Sequence, residues 1–146
     1  MKVVKTVNFY TITNYSGTTK QTWNYGMDYP QATKVLPDGS SVGIHINASA
    51  IHFFIDTNGP DKGPNRFGFD IFQFTVNDST DAIKAIKQSQ AYSDEELEGM
   101  KWAGIAGSPC NKTSTQAGNG RGCSYYAVND INPDDENKHY WTNLPW

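Results

Sequence analysis

Charged side chains are scarce in this chain, at 18% of its 146 residues, and they nearly balance to a formal net charge of −3. With a pI near 5.5, the chain has no basic footprint for a phosphate backbone, so nucleic acid is not an expected partner. Long apolar runs are also missing. No stretch approaches the roughly 20 apolar residues of a membrane-spanning helix, and the opening MKVVKTVNFYTITNYSG lacks the apolar centre of a signal peptide. Cysteine is limited to Cys110 and Cys123, with neither a CxxC nor a spaced histidine pair to complete the four ligands of a zinc site. Gly-x-Ser-x-Gly, phosphate-loop and His-Glu-x-x-His motifs are all absent.

What the chain does have is aromatic and polar. Hydrophobic residues reach 37%, and Phe, Trp and Tyr together reach 13%. A disordered chain would need few aromatics and a high net charge. The composition suits a turn-rich β or α+β domain of the kind found outside the cytoplasm, and the length fits one domain over residues 1–146. The segment NKTSTQAGNGRG between Cys110 and Cys123 is polar and flexible enough for the sulfurs to meet. A disulfide is therefore expected, stabilising by about 3 kcal/mol in the chain-entropy model, and it implies an oxidising compartment. Disulfide chemistry without an export signal suggests a domain separated from its export and anchoring segment, with Met1 an added start.

Alternation predicts the elements. KVLPDGSSVGIHI reads as an apolar pair, a Pro-Asp-Gly-Ser turn, then Val42, Ile44 and Ile46 on one face of a strand. AIHFFID and FDIFQFTV are two further strands, giving an antiparallel sheet of at least three strands over about residues 41–76. Residues 1–34 read as a strand or a loosely ordered start, since VKTVNFYTIT alternates. Ile83 and Ile86 stand at helical spacing behind the potential caps Asp78 and Ser79. A second short helix is predicted from Ser93, with Ser93 and Glu96 as a capping box, Tyr92 and Leu97 as a staple, and Gly99 or Gly104 as a stop. The aromatic tail NKHYWTNLPW should dock rather than leave Trp141 and Trp146 in water. The fold class expected is α+β: an antiparallel sheet, short helices and a disulfide-closed C-terminal loop.

The connection inside FFIDTNGPDKGPNRFGFDIFQF is longer than the two to five or so residues of a tight hairpin. Asp56, Asn58, Asp61, Asn65 and Asp70 are hard oxygen ligands of the kind Ca²⁺ prefers. The stretch lacks the third ligand, glycine spacing and closing Glu of an EF-hand. The favoured reading has no cofactor: Asn58-Gly59 turns the chain, Pro60 and Pro64 stiffen it, Gly68 leads into Asp70, and the Asp and Asn side chains bind loop amides.

LPDGSSVGI, FFIDTNGPDKGPNRFGFDIFQF, GRGCSYYAVND and the W…LPW end together resemble the globular head of type IV pilin-like proteins, over about residues 35–76 and 105–146. The most specific part is Asp-x-Asn-Gly…Pro-Asn-x-x-Gly-x-Asp-x-Phe. The resemblance implies a variable part (1–34), a sheet core (35–76), a helical segment (77–104) and a disulfide-bonded C-terminal region (105–146). It also implies a structural role, as a major or minor pilin or a pseudopilin of a bacterial type IV pilus or type II secretion filament. Its partners would be other such subunits and a host or surface ligand. Its place would be the cell surface or periplasm, with inner-membrane anchoring before assembly through a hydrophobic N-terminal helix. The family's defining Gly before Phe-Thr-Leu-x-Glu, and the apolar helix after it, are missing here.

Other functions are weighed against plainer explanations. Cys110 or Cys123 with His139 would make a nucleophile–base pair, but two lone cysteines are more often a bridge. His45 and His52, seven apart on strands, are expected on opposite faces. No enzyme is expected. The main alternative is an extracellular carbohydrate-binding or adhesin domain, with Trp23, Trp102, Trp141, Trp146 and eight tyrosines as stacking platforms. Core filling is the commoner fate of such aromatics. The Asn-x-Ser/Thr sequons at Asn14, Asn47, Asn77 and Asn111 carry little weight in so Asn- and Thr-rich a chain.

Overall fold

Extended segments dominate, as the alternating stretches require. A computed structural model of the chain describes residues 2–7, 9–24, 33–46, 50–77, 83–85, 109–115, 118–142 and 144. The strands are β1 (Lys5–Val7), β2 (Phe9–Thr13), β3 (Lys20–Asn24), β4 (Thr33–Val35), β5 (Ser41–Ile46), β6 (Ala50–Asp56), β7 (Ile71–Asn77) and β8 (Ile83–Ala85). A 3-10 turn, Arg121–Cys123, leads into the short helix α1 (Ser124–Asn129). Six strands form one sheet in the order β1-β4-β5-β6-β7-β8, and β2 and β3 form a separate hairpin. Every pairing within these sheets is antiparallel.

The expected three-stranded centre is present as β5, β6 and β7, and the early residues add to it. β1 pairs with β4 at the sheet edge. The turn between β4 and β5 forms as the sequence suggests: Gly39 takes φ +92, and Asp38 Oδ1 accepts the Ser40 amide at 3.0 Å. One expectation is corrected. Ile83 belongs to a strand, with Ile83 opposite Val76 and Ala85 opposite Phe74. The three-residue spacing of Ile83 and Ile86 suits a helix, but Ile83 and Ala85 also alternate. The unpaired edge of β7 decides between the two by offering ladder partners. The expected caps Asp78 and Ser79, Ile86, and the helix from Ser93 lie outside the described residues. The described helix is α1 instead, within a region read only as disulfide-bonded.

The two sheet faces differ. On one, Ser41, Asp56 and Ile71 form a row, followed by Gly43, Phe54 and Gln73, then His45, His52 and Thr75. Most of these are buried, and Phe54 and Ile71 pack with Ile12 of β2 and Phe67. On the other face the rows are Val42, Ile55, Phe72; Ile44, Phe53, Phe74, Ala85; and Ile46, Ile51, Val76, Ile83. These positions of β5–β8 are all apolar, whereas Lys34 of β4, opposite Val42, and Thr6 of β1, opposite Lys34, make the β1–β4 edge of the same face polar. Phe72 is covered by the C-terminal region, in a cluster with Tyr15, the disulfide, Tyr126, Tyr140 and Leu144. Elsewhere on that face Ile46 is 50% and Ile83 68% exposed.

Candidate functional site

The β6–β7 connection is built from its two carboxylates outward. Asp56, at the end of β6, accepts the Gly59 amide at 2.7 Å and the Asn58 amide at 3.2 Å on Oδ1. This is an Asx turn, which lets Gly59 take φ +86. A Cβ on Gly59 would sit 2.0 Å from the Gly39 carbonyl, so the loop packs directly on the β4–β5 turn. Asp70, before β7, accepts the Arg66 amide at 2.6 Å and the Asn65 amide at 2.8 Å. Those bonds hold Asn65 in the left-handed region, at φ +48. Burial pushes the Asp70 carboxyl above its usual value, against the lowering effect of the Arg66 and Asn65 amides and the Asn58 side chain. Its backbone carbonyl also accepts the Thr57 amide at 2.8 Å, closing the neck of the loop.

Four of the five expected oxygen ligands therefore belong to one cage, and Asp61 does not. Asp61 is exposed and pairs with Lys5. Asn58 Nδ2 donates to the Gly63 carbonyl at 3.2 Å, and Asn65 Nδ2 donates to the Pro60 carbonyl at 3.0 Å. Pro60 and Pro64 lie on the outer rim, with a cis Gly63–Pro64 bond. Gly68, at φ +75, is pressed between Tyr15, Cys123 and Tyr140; a Cβ there would meet all three at under 3 Å. Tyr140 Oη donates to the Gly68 carbonyl. Thr13 exchanges backbone bonds with Asn65 and Phe67 at 2.9 and 3.0 Å, and Arg66 Nε donates to the Tyr15 carbonyl at 3.0 Å. The connection thus joins the sheet, the β2–β3 hairpin and the C-terminal region.

Cys110 and Cys123 form the expected disulfide, with S–S 2.06 Å. Neither sulfur is then a nucleophile for His139, whose Nδ1 meets Asp130 Oδ2 at 2.8 Å. The histidine expectation is corrected. His45 and His52 are cross-strand partners, so they share a face, with ring centroids 6.0 Å apart. Their separation of seven would oppose them on one continuous strand, but the β5–β6 connection folds the chain back. Burial first, then His45 and Arg121, lowers His52 to about 4. Among the described residues, no three His, Cys, Asp or Glu side chains converge as a metal group.

Of the expected stacking platforms, Trp141 docks edge-on against Phe72 and Tyr140 and donates Nε1–H to the Ala127 carbonyl at 3.0 Å. Trp102 and Trp146 lie outside the described residues. The sequon at Asn14 is fully buried, its amide oxygen taking the Thr18 and Thr19 amides at 3.0 Å each. Sequence reading missed Ser41, which stands opposite Asp56. It also missed Asn119, whose amide joins Asn111 to Ser114. Neither carries a local signal, because partners distant in sequence give each its role. Comparison with family models, curated proteins and solved structures finds no match.

Proposed function

We propose that this chain is a non-enzymatic structural subunit, the head of a pilin or pseudopilin of a bacterial type IV pilus or type II secretion filament. The reading joins the motif resemblance to one structural observation: the apolar second face of strands β5–β8. A contiguous apolar surface is a poor neighbour for water and a good one for another protein element. Phe53, Ile44 and Ile55 at its centre are each only half-buried. Assembly would bury them, at about 25 cal/mol for each Å² removed from water. The chemistry required is apolar burial between subunits, with loops setting the contacts, and no reaction step is assigned. Reading the gene upstream of the codon for Met1 tests the proposal. A leader ending in Gly before Phe-Thr-Leu-x-Glu and an apolar helix is expected. An unrelated upstream domain, together with tight saturable binding of the isolated chain on a glycan array, would favour the carbohydrate-binding alternative.

A further inference from the structure

The chain contains two Asn-Gly pairs, Asn58-Gly59 and Asn119-Gly120. In such a pair the glycine nitrogen, screened by no side chain, can attack the asparagine Cγ. The new C–N bond closes a succinimide, Nδ2 leaves as ammonia, and water reopens the ring to aspartate or isoaspartate. At Asn119 the fold holds the reacting groups apart. Gly120 N–H is turned to the Pro109 carbonyl at 2.6 Å. The Asn119 amide is tied elsewhere: Oδ1 accepts the Asn111 amide at 3.1 Å, and Nδ2 donates to the Asn111 and Ser114 carbonyls at 2.8 and 2.9 Å. Asn119 is 0% exposed, which keeps water from the ring. Glycine is nonetheless required after it, because at φ +102 a Cβ on Gly120 would lie 2.5 Å from Phe67 and 2.8 Å from Tyr15. The disulfide supplies the restraint. It carries Pro109 and Asn111, on either side of Cys110, to the turn that starts beside Gly120 and ends at Cys123. Asn58-Gly59 is restrained within the β6–β7 connection, by Gly59 N–H on Asp56 at 2.7 Å and Asn58 Nδ2 on the Gly63 carbonyl at 3.2 Å.

We propose that Asn119 is a redox-gated modification site: it persists as asparagine while the Cys110–Cys123 bridge is intact, and it deamidates within the folded chain once the bridge is reduced. Losing the cross-link removes only part of a domain's stability, so the rest of the fold survives while this segment opens. The change is one-way. The carboxylate formed has no N–H to give, and it meets the Asn111 and Ser114 carbonyls as oxygen against oxygen. The Ser114 carbonyl also accepts Ser16 Oγ at 2.6 Å, and the Asn119 carbonyl accepts the Tyr15 amide at 2.9 Å. Deamidation therefore loosens the C-terminal region from the β2–β3 turn, and reoxidation does not restore it. The site does not depend on the filament role.

The test is peptide mapping by mass spectrometry of both asparagines in the full chain, incubated at mildly alkaline pH in oxidised, reduced and urea-unfolded form. In urea both sites react. In the oxidised fold both are slower by about a hundredfold or more. In the reduced chain Asn119 accelerates by about tenfold or more over the oxidised one, while Asn58 stays slow and serves as the internal control for the fold. Asn119→Asp, kept oxidised, shows the consequence directly: the Tyr15 amide exchanges with solvent about tenfold faster or more than in the parent chain. Equal Asn119 rates with the bridge intact and reduced would overturn the proposal. So would acceleration of Asn58 in step with Asn119, which would make the opening global, or unchanged Tyr15 exchange in Asn119→Asp.

Discussion

Asp61 and Asp70 carry the same carboxyl group into opposite situations. Asp70 is 4% exposed and accepts two amides; the Asp61 side chain is 72% exposed and pairs with the exposed head group of Lys5. Asp70→Ala should cost about 2 kcal/mol in urea unfolding, because it leaves two donors without acceptors. Asp61→Ala should stay within about 0.5 kcal/mol, as expected of a surface pair. Equal losses would show that the amide cage is not what holds the loop. Gly59→Ala should cost more than about 2 kcal/mol, since the left-handed backbone and the Gly39 carbonyl both oppose a Cβ. At this scale much was legible in advance. Asp-Thr-Asn-Gly states its own turn, because the Asx acceptor and the permissive glycine are three residues apart. The contact of Gly59 with Gly39, and the burial of Ser41 opposite Asp56, depend on strand register and have no local signature.

At the scale of elements, β6 is the strand most dependent on its neighbours, paired with β5 on one side and β7 on the other. His52 sits within that ladder and is lowered from 6.5 to about 4 by burial, then by His45 and Arg121. Between those values the unfolded chain binds a proton that the folded chain refuses. The contribution to stability is complete above pH 6.5 and is lost as pH falls toward about 4. It amounts to about 3 kcal/mol. In urea unfolding across that window, His52→Gln should flatten the fall seen in the parent chain, and an identical slope would contradict burial of the neutral imidazole. Strand existence was readable for β5, β6 and β7 because their apolar residues alternate cleanly. Ile83–Ala85 was misread because three residues are too few to separate a helical from an extended period, and the edge of β7 settled the matter from outside. The two histidines were misplaced for a related reason: a period-two count holds only along one strand, and a turn between them resets it.

Across the whole molecule, the disulfide ties the start of the C-terminal region to the 3-10 turn against which Gly68 and Tyr140 pack. Reduction should lower stability by about 3 kcal/mol, from the loop-closure entropy of a 13-residue separation. Comparing urea midpoints with and without reductant, with alkylation to count thiols, checks this; free thiols in the unreduced protein would refute the pairing. On its own the chain should sediment as a monomer or weak dimer, and a stable high-order oligomer would show that these residues alone carry the assembly energy. The role proposed for the apolar second face is tested most directly where the protein is produced. Cells expressing the gene from its native start should be sheared and fractionated, then blotted for this chain. If the proposed role holds, the chain is recovered in the sheared or periplasmic filament fraction, and Phe53→Glu, at the centre of the apolar face, removes it from that fraction while leaving the chain folded. Recovery of the parent chain only as free, unassembled protein, or assembly indifferent to Phe53→Glu, would contradict the structural role proposed for this face.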